Sequence, residues 1–369
     1  MATSQRKMAI VTFFMVMIAI TTIIAVAEGV VRLRQFLKYG HAGAVQDIYY
    51  TDPSMNLRVL IPNLKQSNIQ INSIGFRCPE LANPKPVSAV RLAFLGGSTT
   101  FCAEVSSNEM TWPHLVWKQI QEAKPDIQFD YVNVATPGYT LLSSLKCLRY
   151  RLKPLEPDII VIYHATNDLC KDSRELAIKQ GIISQDDIDD RESWLSSYSL
   201  LWLILEKNFK IMKIQKEIDT QPKLEFDPES LSKNFRERLT ALVTESRKTA
   251  KLVALATFSC RIRHEQTSEE QLKAANTALY YMPYMSMEGM LKGYEEYNRI
   301  IREVASETGA LLIEKEMSIP ADDLHFNDSV HFKDPGSRLM AKRISDALLN
   351  SADLISVVQQ QSTKQIHNQ

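Results

Sequence analysis

Ser98, Asp328 and His331 are the residues of this chain whose types and spacing could perform acyl transfer. Ser98 closes the run Arg91-Leu-Ala-Phe-Leu-Gly-Gly-Ser98, an apolar strand-like segment ending in two glycines. The carboxyl end of a strand in an open α/β sheet is where ligands bind, and glycines there let backbone approach a substrate closely. Asp328-Ser-Val-His331 sets a carboxylate and an imidazole three residues apart. One local turn can then hold the acid against the ring nitrogen that faces away from the serine. A serine hydroxyl is a poor nucleophile until a base takes its proton, and the developing oxyanion needs preorganised donors. The backbone N–H groups of Ser98 and Gly138 and the side-chain amide of Asn167 are the candidate donors. They lie in Gly96-Gly-Ser98, Asn133-Val-Ala-Thr-Pro-Gly138 and His164-Ala-Thr-Asn-Asp168, each after a strand-like run.

Each group has a structural explanation when taken alone. Ser98, Asn167 and Asp168 are residue types that cap helices, Gly138 follows Pro137 as a turn glycine does, and Asp-x-x-His can be a surface turn. Their convergence on one sheet edge is what argues for chemistry. A rival pair, Asp322-Asp-Leu-His325, repeats the spacing six residues earlier. His331 is preferred in part because it directly precedes a rigid element, Asp334 being placed to cap a helix with Pro335 at its first position, and largely on the family resemblance given below.

The elements that must carry these groups follow from periodicity. Strands are expected at 91–95, 130–134, 158–163, 251–257 and 310–314, alternating with helices at 110–123, 140–152, 230–249 and 288–308, and a last helix from Asp334. This alternation predicts a parallel sheet with helices on both faces. Residues 39–90, rich in turn signals such as Asp52-Pro, Ile61-Pro-Asn and Asn83-Pro-Lys-Pro, read as a stalk and a lead-in hairpin. Two insertions interrupt the alternation. One, at 171–228, has an acidic stretch at 185–190 and a helix from about Trp194 to Ile218. Its face of Trp194, Tyr198, Leu201, Trp202, Leu205, Phe209 and Met212 is assigned to core packing ahead of a lid or membrane contact. The other, at 261–287, reads as irregular. The principal domain is placed at 91–352, and residues 353–369 read as a disordered tail on the glutamine-rich composition of their end.

The 369 residues hold 43 Lys plus Arg against 43 Asp plus Glu, so no net field recruits nucleic acid. The five cysteines have no C-x-x-C pair, and most are expected to be small buried hydrophobes. Met8 to Ala27 is an uncharged run of 20 residues, enough at about 1.5 Å per residue to cross a hydrocarbon core of about 30 Å. Its length favours an uncleaved anchor, residues 1–38, over a cleaved signal peptide with Ala25-Val-Ala27 as the cleavage site. Arg6 and Lys7 before the run and Arg32, Arg34 and Lys38 after it leave the orientation rule nearly tied, or slightly adverse to export. The catalytic domain is placed outside the cytoplasm, since long domains translocate largely regardless of charge, and the family resemblance given below implies the periplasm.

Other chemistries are set aside. Gly96-Gly-Ser-Thr lacks the lysine of a P-loop, no G-x-G-x-x-G opens a helix, and the serine context is not the G-x-S-x-G elbow. The seven histidines show no paired metal-ligand spacing, so no metal and no cofactor are expected.

The set resembles the SGNH or GDSL-like hydrolase superfamily. Phe94-Leu-Gly-Gly-Ser-Thr-Thr-Phe101 is similar to its first block, with Ser98. Asn133-Val-Ala-Thr-Pro-Gly138-Tyr-Thr140 is similar to the second, Pro157 to Asp168 with Asn167 to the third, and Asp328-Ser-Val-His331-Phe to the fifth. The match departs at Gly-Gly-Ser-Thr, where Gly-Asp-Ser-Leu is the namesake, and at His164-Ala165, where a glycine often stands. The resemblance implies a flavodoxin-like three-layer α/β/α sandwich with a five-stranded parallel sheet, following the amino-terminal transmembrane helix. It implies an acyl-serine intermediate with Ser98, Asp328 and His331 as catalytic residues and Ser98, Gly138 and Asn167 as the oxyanion hole. Membrane-anchored bacterial members act on cell-envelope or exopolysaccharide O-acetyl groups, so the expected substrate is an acylated carbohydrate or small molecule. An O-acyltransferase, a lipase or thioesterase on longer chains, and an inactive polysaccharide-binding scaffold are the alternatives.

Overall fold

A computed structural model describes residues 2–39, 48–66, 68–184, 193–217, 222–225 and 227–367. Five strands form one parallel sheet: β5 (Val90–Gly96), β6 (Phe129–Asn133), β7 (Ile159–Tyr163), β8 (Leu252–Ala256) and β9 (Leu311–Ile313). Their spatial order is β6-β5-β7-β8-β9, with Phe94 paired to Asn133 on one side and Val161 on the other. This is the flavodoxin-like order, and the strand sequence reverses between β5 and β7, which is where such sheets bind ligands. The central strands are continuous apolar runs because both faces are covered. Every residue of Ile159–Tyr163 and of Leu252–Ala256 is buried.

The covering helices are α3 (Trp112–Ala123), α4 (Leu141–Cys147), α5 (Thr166–Lys179), α7 (Pro228–Arg247), α10 (Met287–Thr308) and α11 (Asp334–Leu349). The α10 helix is held at its start by Ser286, whose hydroxyl accepts from Gly289 N, and ends on Gly309 in the left-handed region. Two strand pairs precede the sheet: β1 (Tyr49–Asp52) with β2 (Leu57–Leu60), and β3 (Lys65–Gln66) with β4 (Ile69–Gln70). A long helix α1 (Ala2–Tyr39) leads the chain, and its apolar residues from Met8 to Val26 are exposed. The remaining helices are α2 (Ser98–Phe101), α6 (Leu200–Glu217), α8 (Ser268–Ala274), α9 (Asn276–Tyr281) and α12 (Ala352–His367).

Four expectations need correction. The described part of the stalk, from Ile48 to Ala89, packs on the domain: Ile48, Leu60 and Ile69 form a small core with Phe101 and Ala135. Arg77 is fully buried and donates to the carbonyls of Asn68, Phe101 and Cys102. The apolar stripe of the first insertion is not core, since Tyr198, Trp202, Leu205, Phe209 and Met212 are exposed and α6 packs through Leu200 and Ile214 instead. The acidic stretch at 185–190 lies outside the described residues. The second insertion is not irregular throughout: it carries α8 and α9, and α8 is started by a capping box of Thr267 and Glu270. The tail expected to be disordered is helical to His367, because Leu354 and Val357 bury their side chains against the core. All five cysteines are free thiols, and four of them are buried.

Candidate active site

Ser98 stands at the first turn beyond β5, after Gly97, whose backbone caps α2. Three packing contacts fix this turn. Trp112 is buried, donates its indole N–H to the Thr99 carbonyl over 3.0 Å and meets the Phe94 ring edge-on at 5.2 Å. Asn133 donates its amide to the Thr100 carbonyl over 3.1 Å. Gly97 has no room for a side chain: a Cβ there would lie 2.5 Å from Asn167 Nδ2 and 3.1 Å from the Tyr139 carbonyl oxygen. The glycine therefore lets the loops after β5, β6 and β7 close on one another.

The loop after β6 turns at Thr136-Pro-Gly-Tyr139, closed by the Tyr139 N–H to the Thr136 carbonyl at 3.1 Å, with Gly138 at φ +84°. Proline at the second position and a positive-φ glycine at the third are the requirements of a type II turn. Arg58 of β2 clamps it by donating to the Pro137 carbonyl over 2.7 Å, and the Tyr139 hydroxyl donates back to the Arg58 carbonyl over 2.7 Å. After β7, Asn167 opens α5 and donates Nδ2 to the Tyr139 carbonyl over 2.9 Å. Asp168 beside it is buried and accepts from Leu141 N at 3.1 Å, tying α4 to α5. Burial lifts its carboxyl to about 7 against the opposing Arg238 charge. His164 is also buried, lies 2.8 Å from Ser144 Oγ, and is held down to about 3 by desolvation.

Asp328 and His331 arrive on a turn closed by an antiparallel bridge between Phe326 and Phe332. Asp328 Oδ1 accepts from the N–H groups of Val330 and His331 at 2.9 and 3.0 Å, and His331 Nδ1 lies 2.8 Å from Asp328 Oδ2. His331 Nε2 lies 2.7 Å from Ser98 Oγ. The structure thus brings these residues to the sequence reversal of the sheet, where Ser98, Gly138, Asn167 and His331 line one cleft of about 510 Å³ and Asp328 stands behind His331. Burial raises the Asp328 pKa, but the His331 charge and the hydrogen bonds to it win, and the group stays below its ordinary value. Burial alone would lower His331. The carboxylates of Glu104 and Asp328 outweigh it and lift the imidazole to about 9.

The rival pair forms the same local turn, with His325 Nδ1 2.7 Å from Asp322 Oδ1, but at an exposed site away from Ser98. Asp334 is not the cap of α11. It is the first helical residue, and its carboxylate accepts from Ser106 N and Oγ at 2.9 and 2.6 Å. Sequence reasoning missed Arg58, which lies in the segment read as stalk, and Glu104, which lines the cleft with its buried Oε2 unpartnered. Neither sits in a motif, and only the folded chain places them.

A profile of the GDSL-like Lipase/Acylhydrolase family matches residues 94–339, which includes every residue of the relay. No curated relative matches the chain. Among solved structures, LAE5, an alpha/beta hydrolase enzyme from the metagenome of Lake Arreo in Spain, is 14% identical, with a TM-score of 0.43 over 70% of this chain and 94% of its own. Axe2, an acetylxylan esterase from Geobacillus stearothermophilus, is 15% identical, with a TM-score of 0.40 over 70% of this chain and 92% of its own. With a match over 94–339 that takes in Ser98, Gly138, Asn167, Asp328 and His331, the chain belongs to the GDSL-like lipase/acylhydrolase family and is an SGNH-type esterase.

Proposed function

We propose that the protein is a membrane-anchored serine esterase that removes O-acyl groups, acetyl above all, from carbohydrate of the cell envelope or an exopolysaccharide. In this reading α1 is the anchor and the catalytic domain is periplasmic. The observation that carries the mechanism is the relay itself: Ser98 Oγ, His331 and Asp328 in line at 2.7 and 2.8 Å on the wall of a cleft.

Ser98 Oγ attacks the ester carbonyl while His331 Nε2 takes the hydroxyl proton, and Asp328 holds the ring in the tautomer that leaves Nε2 free to accept it. The carbonyl oxygen gains the negative charge, facing the N–H groups of Ser98 and Gly138 and the Asn167 amide. Collapse breaks the bond to the sugar oxygen, which leaves with the proton from His331. Water then attacks the acyl-serine, giving its proton to His331, and the acid departs as Ser98 recovers its own.

Carbohydrate is favoured by the cleft lining. The lining is mostly apolar, with Ile48, Ala103, Pro137, Met282 and Val330 able to take a short acyl group, but Arg58, Glu104, Lys171 and Arg174 interrupt it with charged hydrogen-bond partners and Tyr281 adds an aromatic ring. A long acyl chain would call for an unbroken apolar channel. Full-length protein in detergent, assayed on 4-nitrophenyl acetate, on the octanoate ester and on acetylated xylo-oligosaccharide, tests the reading. It predicts acetate over octanoate and release of acetate from the sugar, both lost in Ser98→Ala. Preference for octanoate would overturn the substrate assignment.

A further inference from the structure

Helix α6 carries an apolar row that the described residues leave uncovered. Tyr198 just before it and Trp202, Leu205, Phe209 and Met212 along it recur every three or four residues, so they share one face. They are 43–75% exposed. The opposite face is the one that packs: Leu200 is buried, Ile214 meets the core, and Lys207 Nζ lies 5.4 Å from the Tyr280 ring centroid on α9. Contiguous apolar rows of this kind mark interaction surfaces.

The position of the row says what covers it. Glu28 is the first charged residue after the uncharged stretch of α1. It accepts from Ser199 Oγ at 2.8 Å, Leu201 N at 2.9 Å and Leu200 N at 3.1 Å, the amino end of α6. One turn further, Arg32 donates to the Tyr198 carbonyl over 2.9 Å. The start of α6 is thereby pinned at the level where the apolar stretch of α1 stops. If α1 crosses a bilayer, that level is the water boundary, where Trp and Tyr are enriched. Lys213 and Lys216 are exposed further along the same helix and suit anionic headgroups.

We propose that α6 is an interfacial helix, its row of Tyr198, Trp202, Leu205, Phe209 and Met212 seated in the headgroup and acyl boundary of the membrane that α1 crosses. The proposal rests on the anchor reading of α1. Because α6 also packs on α9, which supplies Thr277, Ala278 and Tyr281 to the cleft, seating the row fixes the cleft beside the bilayer.

The test uses the full chain in vesicles of phosphatidylcholine and phosphatidylglycerol, with the partly exposed Cys170 replaced by serine. A fluorophore is placed in turn on Ile18→Cys, Phe209→Cys and Lys342→Cys, and quenched by lipids spin-labelled near the top of the acyl chain. Quenching at 18 and 209 several-fold above that at 342 is expected. Quenching at 18 with 209 no different from 342 overturns the interfacial helix and leaves the anchor. Absence of quenching at 18 overturns both. Self-quenching between copies at 209 without lipid quenching gives the row to a second copy of this chain and also overturns the proposal. Leu205→Glu with Phe209→Glu should abolish lipid quenching of a label at Trp202→Cys and leave that at 18 unchanged.

Discussion

The Arg58 guanidinium lies 2.7 Å from the Pro137 carbonyl, and through that bond a strand outside the main sheet sets the turn that carries Gly138. The Cβ that Gly138 lacks would lie 2.7 Å from the same Arg58 nitrogen, so the two residues occupy each other's space by design of the turn. The consequence is kinetic. Arg58→Ala should loosen the Gly138 N–H and lower kcat by about 10²-fold, the scale of one misplaced oxyanion donor. Circular dichroism and the unfolding midpoint should change little, because the clamp lies at the surface of the core. An unchanged kcat would remove Arg58 from the account.

Gly97→Ala probes the same hole from the other side. The added methyl would sit 2.5 Å from Asn167 Nδ2, so the amide must move away from the carbonyl it serves. We expect kcat to fall by about 10²-fold or more, with Asn167→Ala giving a similar loss and the double variant no worse than the larger of the two. Additive losses would mean that the glycine acts elsewhere.

The two Asp-x-x-His turns separate motif from position. His331→Ala should cost kcat at least about 10³-fold, in keeping with loss of a triad base. His325→Ala, whose ring pairs with Asp322 in the same geometry, should leave kcat within about twofold, as substitutions away from the site do. Steady-state rates on 4-nitrophenyl acetate decide it.

The pH profile follows from Glu104. In the proposed mechanism His331 accepts the Ser98 proton only when neutral, and its pKa is raised to about 9, chiefly by the Glu104 carboxylate acting against burial. Activity should therefore be lost as pH falls through a limb lying above the ordinary histidine range. Burial raises the Glu104 pKa as well, so the two titrate as a pair and the limb belongs to both. Glu104→Gln removes the negative charge, lowers the His331 pKa and should move the limb of kcat/KM to lower pH. A limb that stays in place would show that Glu104 does not face the imidazole in solution.

Much of the site was legible in the sequence because its residues follow strands. An apolar run that ends in Gly-Gly-Ser, and another that ends in His-Ala-Thr-Asn-Asp, announce both the strand and the loop that leaves it. What the sequence hid is non-local. Arg58 reads as one basic residue in a turn-rich lead-in, and nothing in its neighbours tells that Pro137 is its partner. The α6 row shows helical period, but period reports which residues share a face and not which face is covered. In α12 Leu354 and Val357, with Val358 packed beside them, dock a segment whose glutamine-rich composition argues for disorder.

The relay of Ser98, His331 and Asp328 is tested most directly by covalent trapping. Full-length protein treated with a fluorophosphonate and digested should yield one labelled peptide, containing Ser98, by mass spectrometry. The label should be absent in Ser98→Ala, sharply slowed in His331→Ala, and blocked by excess acetylated xylo-oligosaccharide. A label on another serine, or esterase activity undiminished in Ser98→Ala, would contradict the account.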